Sequence, residues 1–141
     1  MKSQLNRAPL TGDKDEPVAG FLSPEVTTSK VARIERMSTD KNPKIRESAA
    51  LSCHASGRVY LALAEDEDEG VRTCLARNPR VPFEVLRILS EDESERVRAF
   101  VAANVDVPSE LLDTLAVDSS LLVRQIAEWK MGLRHSDLVP N

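Results

Sequence analysis

The sequence predicts an all-α chain, a short solenoid of about four stacked helix pairs, on three observations. A Val-Arg or Ile-Arg pair recurs at a constant interval of twenty-six positions, as Ile45-Arg46, Val71-Arg72, Val97-Arg98 and Val123-Arg124. An aspartate stands five residues before each pair: Asp40, Asp66, Asp92 and Asp118. A large apolar residue stands eight residues before it: Met37, Leu63, Leu89 and Leu115. Three features held in one register through four copies are a poor fit to chance, and a period of this length is the mark of a repeat architecture.

The composition allows such a fold. Of 141 residues 41% are apolar and 4% aromatic, so Leu, Val, Ile and Ala must fill the core. A net charge of −4 argues against a general polyanion binder. Cys53 and Cys74 lack the spacing of a zinc ribbon or a disulfide framework. No apolar run approaches the roughly 20 residues of a bilayer span, and the first residues lack the apolar stretch of a secretion signal. The expected location is the cytoplasm, with no membrane partner.

Each unit reads as a short first helix and a regular second helix. In the second, apolar or small residues fall at the Val position and three and four residues on: Val71, Cys74, Leu75; Val97, Phe100, Val101; Val123, Ile126, Ala127. That spacing is one helical stripe. Asn42, Asp68, Ser94 and Ser120 precede these helices and can accept from the free N–H groups of the first turn. Pro43 suits the first helical position. Asn78 and Asn104 stand where two of the helices should end, a place that tolerates left-handed backbone. In the first helices, Pro82 and Pro108 are assigned to the first helical position, with Glu84 and Glu110 near the positive dipole end. Val85, Leu86, Leu89 and Leu111, Leu112, Leu115 face inward. One unit cannot bury its own apolar face, whereas a stack can. Residues 1–22, polar and broken by Pro and Gly, read as a flexible arm. The repeat domain spans 23–134, with Ser23-Pro24-Glu25 as a helix entrance and a first helix running to about Ser38. Residues 135–141 form a frayed tail.

The pattern D-x4-VR-x2-[VL]-A-x-N-x3-P-x-E-x-L-x2-L, best kept around Val71 and Val97, resembles the leucine-rich repeat variant family, a looser relative of HEAT-type repeats. The resemblance covers roughly residues 28–132. It implies a right-handed superhelix, a binding role and a bacterial or phage setting. Some members carry a Cys-rich iron–sulfur segment before the repeats. Residues 1–52 contain no cysteine, so this does not carry over.

Each repeated arginine lies early in its helix, where a cation meets the positive dipole end. A compensating anion is expected. Arg46, Arg72, Arg98 and Arg124 are therefore paired with Asp40, Asp66, Asp92 and Asp118, within a unit or between neighbours, as a structural ladder. The competing reading makes the arginines a row of phosphate contacts. The acidic run Glu65-Asp66-Glu67-Asp68-Glu69 is then one ladder position, one cap and a dipole-favoured helix entrance, and not a calcium loop.

No catalytic residue, metal ligand or cofactor site is assigned. The histidines are His54 and His135 alone, and the repeat accounts for most of the many carboxylates. His54 adjoins Cys53, but no orienting group completes the set, and Cys74 is read as core filler. The expected function is non-enzymatic protein binding through one solenoid face. Candidate contacts are Leu51, Arg77 and Trp129, each six residues after its Val position and so outward, together with Arg80. Trp129, Met131 and Leu133 either seal the end of the stack or anchor a partner, including a second copy in a homodimer through the C-terminal end. The alternative function is nucleic-acid binding by the central arginines Arg72, Arg77, Arg80, Arg87, Arg96 and Arg98.

Overall fold

The computed structural model describes residues 28–138, with side chains to Arg134. The expected arm over 1–22 and the entrance at Ser23 lie outside the described residues. Eight helices and no strand occur among the described residues. They are α1 (Thr28–Ser38), α2 (Pro43–Ala50), α3 (Gly57–Ala64), α4 (Glu69–Arg77), α5 (Phe83–Leu89), α6 (Glu95–Ala103), α7 (Ser109–Leu115) and α8 (Leu121–Leu138).

The even-numbered helices start at equal intervals, at Pro43, Glu69, Glu95 and Leu121, because each start is fixed by its cap. Asn42 accepts from the N–H of Lys44, Asp68 from Val71, Ser94 from Arg96 and Val97, and Ser120 from Val123. Pro43 is the first residue of α2. Pro82 and Pro108 sit one place earlier than expected. They are the caps of α5 and α7 themselves, with extended backbone and no side-chain hydrogen bond. Their fixed φ suits the turn as well as the helix, so the chain begins its helix at the following residue.

The helices form two layers. In one, α2 packs on α4, α4 on α6 and α6 on α8; in the other, α1 touches α3 and α3 touches α5. Leu63, Leu89 and Leu115 from the first helices and Val71, Val97 and Val123 from the second are almost wholly buried between them. Each such leucine contributes about 2 kcal/mol by leaving water. Ala50, Ala76 and Ala102 are also buried, and the small side chain lets neighbouring second helices approach. Cys74, Phe100 and Ile126 are only half-buried, so the predicted stripe is turned partly outward at its third-residue positions.

Asn78 and Asn104 do not adopt left-handed backbone. Their φ values are −70° and −58°, and no positive φ occurs among the described residues. Their side chains explain them instead. The Asn78 amide donates to the carbonyls of Ala50 (2.8 Å) and Ser52 (2.9 Å), and its oxygen accepts from the Arg80 N–H. The Asn104 amide donates to Ala76 (2.7 Å) and Asn78 (3.1 Å), and its oxygen accepts from Asp106. Each asparagine thus closes the unsatisfied end of the preceding second helix. Tyr60, in the position of Leu86 and Leu112, donates its hydroxyl to the same Ser52 carbonyl. At the corresponding place on α8, Lys130 donates to Ala103 and Arg134 to Val107.

The helix α8 has 18 residues, where α2, α4 and α6 have eight or nine. The expected tail at 135–141 begins inside it, since no proline or cap breaks the pattern before Leu138.

Replacing Asn104 with Ala strands the buried Ala76 carbonyl and the Asp106 N–H and leaves the Asn78 carbonyl only its bond from Val81, and should cost about 2–4 kcal/mol of stability. Urea denaturation should register this as a lower midpoint with an unchanged slope. A loss below about 0.5 kcal/mol contradicts the clasp.

Candidate functional site

The arginine series lies at the joints between helix pairs, with Arg72 buried and Arg46, Arg98 and Arg124 half-buried. Arg46 donates from Nε and Nη2 to the Asp66 carboxylate (2.7 and 3.1 Å), Arg72 to Asp92 (2.7 and 3.3 Å) and Arg98 to Asp118 (2.8 and 3.0 Å). Each pair joins one helix pair to the next. The third contact runs within the pair: Nη1 of Arg46, Arg72, Arg98 and Arg124 donates to the backbone carbonyls of Asp40, Asp66, Asp92 and Asp118. Every ladder aspartate also accepts the N–H two residues on, at Asn42, Asp68, Ser94 and Ser120. The carboxylate is therefore a hub that holds its own turn and receives the preceding arginine.

These pairs are largely screened from water, the side chains of Arg72 and Asp92 being 10% and 7% exposed. The hydrogen bond from Arg98 holds the Asp118 carboxyl below its ordinary range, against the opposing effect of burial. Asp118 in turn raises Arg98. Two of the six central arginines, Arg72 and Arg98, are thus engaged in the fold.

The remaining surface arginines do not share one face. Arg77 closes α4 and lies over the Phe100 ring of α6 at 5.6 Å, a cation–π contact. Arg96 borders Phe100 from the start of α6. Arg80 lies in the turn after α4, and Arg87 is on α5 in the other layer; both are exposed. Leu51 caps α2 at the far side of the layer. Leu51, Arg77 and Trp129 are all exposed; Arg77 and Trp129 belong to one apolar surface centred on α6 and α8, and Leu51 does not.

That surface is centred on the groove between α6 and α8. Ala99, Phe100 and Ala103 of α6 face Leu122 and Ile126 of α8 across a cavity of about 160 Å³. Arg77, Pro79 and Val105 extend it on the side of α4. Along α8, Leu122, Ile126, Trp129 and Leu133 fall on one stripe by helical spacing. Trp129 is 61% exposed, Leu122 46% and Leu133 45%, and Ile126 is half-buried. Trp129 and Leu133 therefore do not seal the stack. Only Met131 of the expected trio packs partly against the core, because α8 continues past the last first helix and turns its 122/126/129/133 face to solvent.

Sequence reasoning singled out Trp129 and Leu133, assigned Phe100 and Ile126 to the core stripe, and missed Leu122. Its signal lay in a departure from the period: Leu122 stands where other units have Lys44, Gly70 and Arg96. Cys53 and His54 are exposed in the turn after α2. Among the described residues, no three His, Cys, Asp or Glu side chains converge as metal ligands, and no helix is long and apolar enough to cross a membrane.

Residues 95–120 match the model of the leucine rich repeat variant family. This helical repeat match begins at the first residue of α6 and ends at the cap of α8, so it covers one full period, with Arg98, Asn104 and Asp118 inside it. No curated protein and no solved structure matches the chain. Within the leucine rich repeat variant segment, then, the arginine, asparagine and aspartate are framework, and half-buried Phe100 and exposed Ala103 line the groove.

Because Asp118 titrates below the ordinary carboxylate range when folded, its contribution is present above about pH 4 and is lost as pH falls through the lower, folded value. Arg98→Ala should reduce stability at neutral pH by about 1–3 kcal/mol, between the exposed and fully buried limits for an ion pair. Acid titration of the melting temperature should also show a smaller fall for Arg98→Ala than for the wild type. Parallel acid profiles contradict the pairing.

Proposed function

We propose that the four helix pairs form one right-handed solenoid and that the chain is a non-enzymatic cytoplasmic module that binds a protein through the α6–α8 groove. The observation that carries this is the solvent-facing stripe Leu122, Ile126, Trp129 and Leu133 beside Phe100. A contiguous apolar strip with a tryptophan at its middle is costly to leave in water and is typical of an interface core. The helical repeat of residues 95–120 supports the same reading, since stacked repeats expose extended surfaces suited to binding. Arg77 and Arg96 flank the groove, so the fitting partner is a segment with apolar side chains next to carboxylates.

Nucleic-acid binding is the second reading. It is favoured by Arg77, Arg80, Arg87 and Arg96, all exposed and without a carboxylate partner among the described residues. Against it, Arg72 and Arg98 are occupied, and the edge next to Arg96 carries Glu91, Glu93 and Glu95, also exposed.

Immobilised wild-type protein should retain a protein partner from the source cell after nuclease treatment. Trp129→Ala should weaken that binding by about 2 kcal/mol, roughly thirtyfold, as expected for an aromatic anchor. Leu122→Asp should abolish it, and Arg87→Ala should leave it unchanged. Retention that disappears with nuclease, or labelled DNA that binds at low salt and is released by added salt, favours the second reading.

A further inference from the structure

The Arg–Asp series ends with one unused half-contact at each end of the described chain. Arg124 makes the internal contact of its series, Nη1 to the Asp118 carbonyl at 2.7 Å. Its Nε and Nη2, which in Arg46, Arg72 and Arg98 grip a carboxylate 20 residues on, meet none among the described residues. At the other end, the Asp40 carbonyl receives Arg46 at 2.8 Å, and its carboxylate receives the Asn42 N–H at 2.8 Å. No arginine among the described residues reaches that carboxylate, although Asp66, Asp92 and Asp118 each have one. Both groups are held by the same contacts that orient their interior equivalents. In register, Asp40 has the place of the aspartate that would follow Asp118.

We infer that a second copy of this chain docks head to tail, Arg124 of one copy gripping Asp40 of the next and continuing the ladder between molecules. Neighbouring residues agree. Val117 and Leu121, 78% and 59% exposed, stand at positions that carry glutamate in the two preceding pairs, Glu91 and Glu95, Glu65 and Glu69. In the interior, Glu95 accepts from the Ser120 hydroxyl of the next cap. Leu121 holds the place of Glu95 and, in the same register, meets Asn42 and the Pro43 ring. The second-helix contact is more polar than its interior counterpart. Gln125 and Glu128 replace the buried Ala99 and Ala102, and Lys44 and Ser48 hold the facing positions on α2. The joint is therefore weaker than an internal one and sensitive to salt. Because the two surfaces differ, the contact is heterologous and does not close at two copies. It joins the C-terminal end of one molecule to the N-terminal end of another, not two C-terminal ends, and it does not use the α6–α8 groove.

Sedimentation velocity of the full chain at rising concentration and low salt tests this. The average mass should climb past that of a dimer and fall back as salt is added. Asp40→Asn keeps an oxygen for the Asn42 N–H but removes the charge. It should weaken association about tenfold without lowering the melting temperature by more than a few degrees. Arg124→Gln should do the same, and the double variant should be no weaker than either single one, because both remove one shared contact. Phe100→Ala, on α6 and facing α8, should leave association unchanged, which separates this interface from the groove. A monomer at every concentration, a mass that stops at two copies, or losses that add in the double variant each overturn the inference.

Discussion

The forked hydrogen bond from an arginine of one helix pair to an aspartate of the next is the contact on which the arrangement depends. An arginine in the first turn of a helix is poorly placed electrostatically. Here the cost is offset because the same guanidinium reaches three oxygens, two on the following aspartate and one on the backbone before its own helix. A planar fork does this and an ammonium does not. The aspartate is fixed in turn by the N–H at the next cap, so the ion pair sets where the following helix starts. One side chain thereby connects stacking to local helix initiation. The asparagine clasps do the same work on the opposite edge, where second helices end.

These two devices also decide what is left for recognition. Arg72 and Arg98 and the ladder aspartates are consumed by the fold, so the opening acidic run of α4 divides into framework and surface. Asp66 and Asp68 hold the turn, while Glu65, Glu67 and Glu69 face water. On the outer side of the second helices the framework makes no demand. There the residues vary from pair to pair, and at α6 and α8 they become Phe100, Leu122, Ile126 and Trp129. Phe100 and Ile126 still pack partly against the core, whereas Leu122 and Trp129 are left largely in water, and the proposed binding surface rests on them.

Much of this was legible in the sequence, and the rest has identifiable physical reasons. The period, the four caps and the pairing of Arg with Asp follow from residue chemistry at fixed spacing. The direction of pairing does not, since an arginine can turn back to the aspartate of its own unit or forward to that of the next; only the packing of neighbouring helices chooses between them. Asn78 and Asn104 suggested left-handed turns because asparagine tolerates them. The structure uses the amide instead as a bridge between the ends of successive second helices, a long-range role with no local signature. Pro82 and Pro108 were displaced by one residue because proline fits a cap and a first helical position almost equally well. Trp129 was visible as an outward residue, but whether it sealed the stack depended on the length of α8. No stop signal precedes Leu138, and the consequence for the exposed stripe emerges only in three dimensions.

The coupling between Arg72 and Asp92 tests the account most directly. A double-mutant cycle with Arg72→Met and Asp92→Asn, read by urea denaturation, isolates their interaction while the asparagine retains an acceptor for the Ser94 N–H. A coupling of about 1–3 kcal/mol that shrinks on protonating the carboxylate is the predicted result. A coupling indistinguishable from zero, with both single variants as stable as the wild type, would show that apolar burial alone orders the helices.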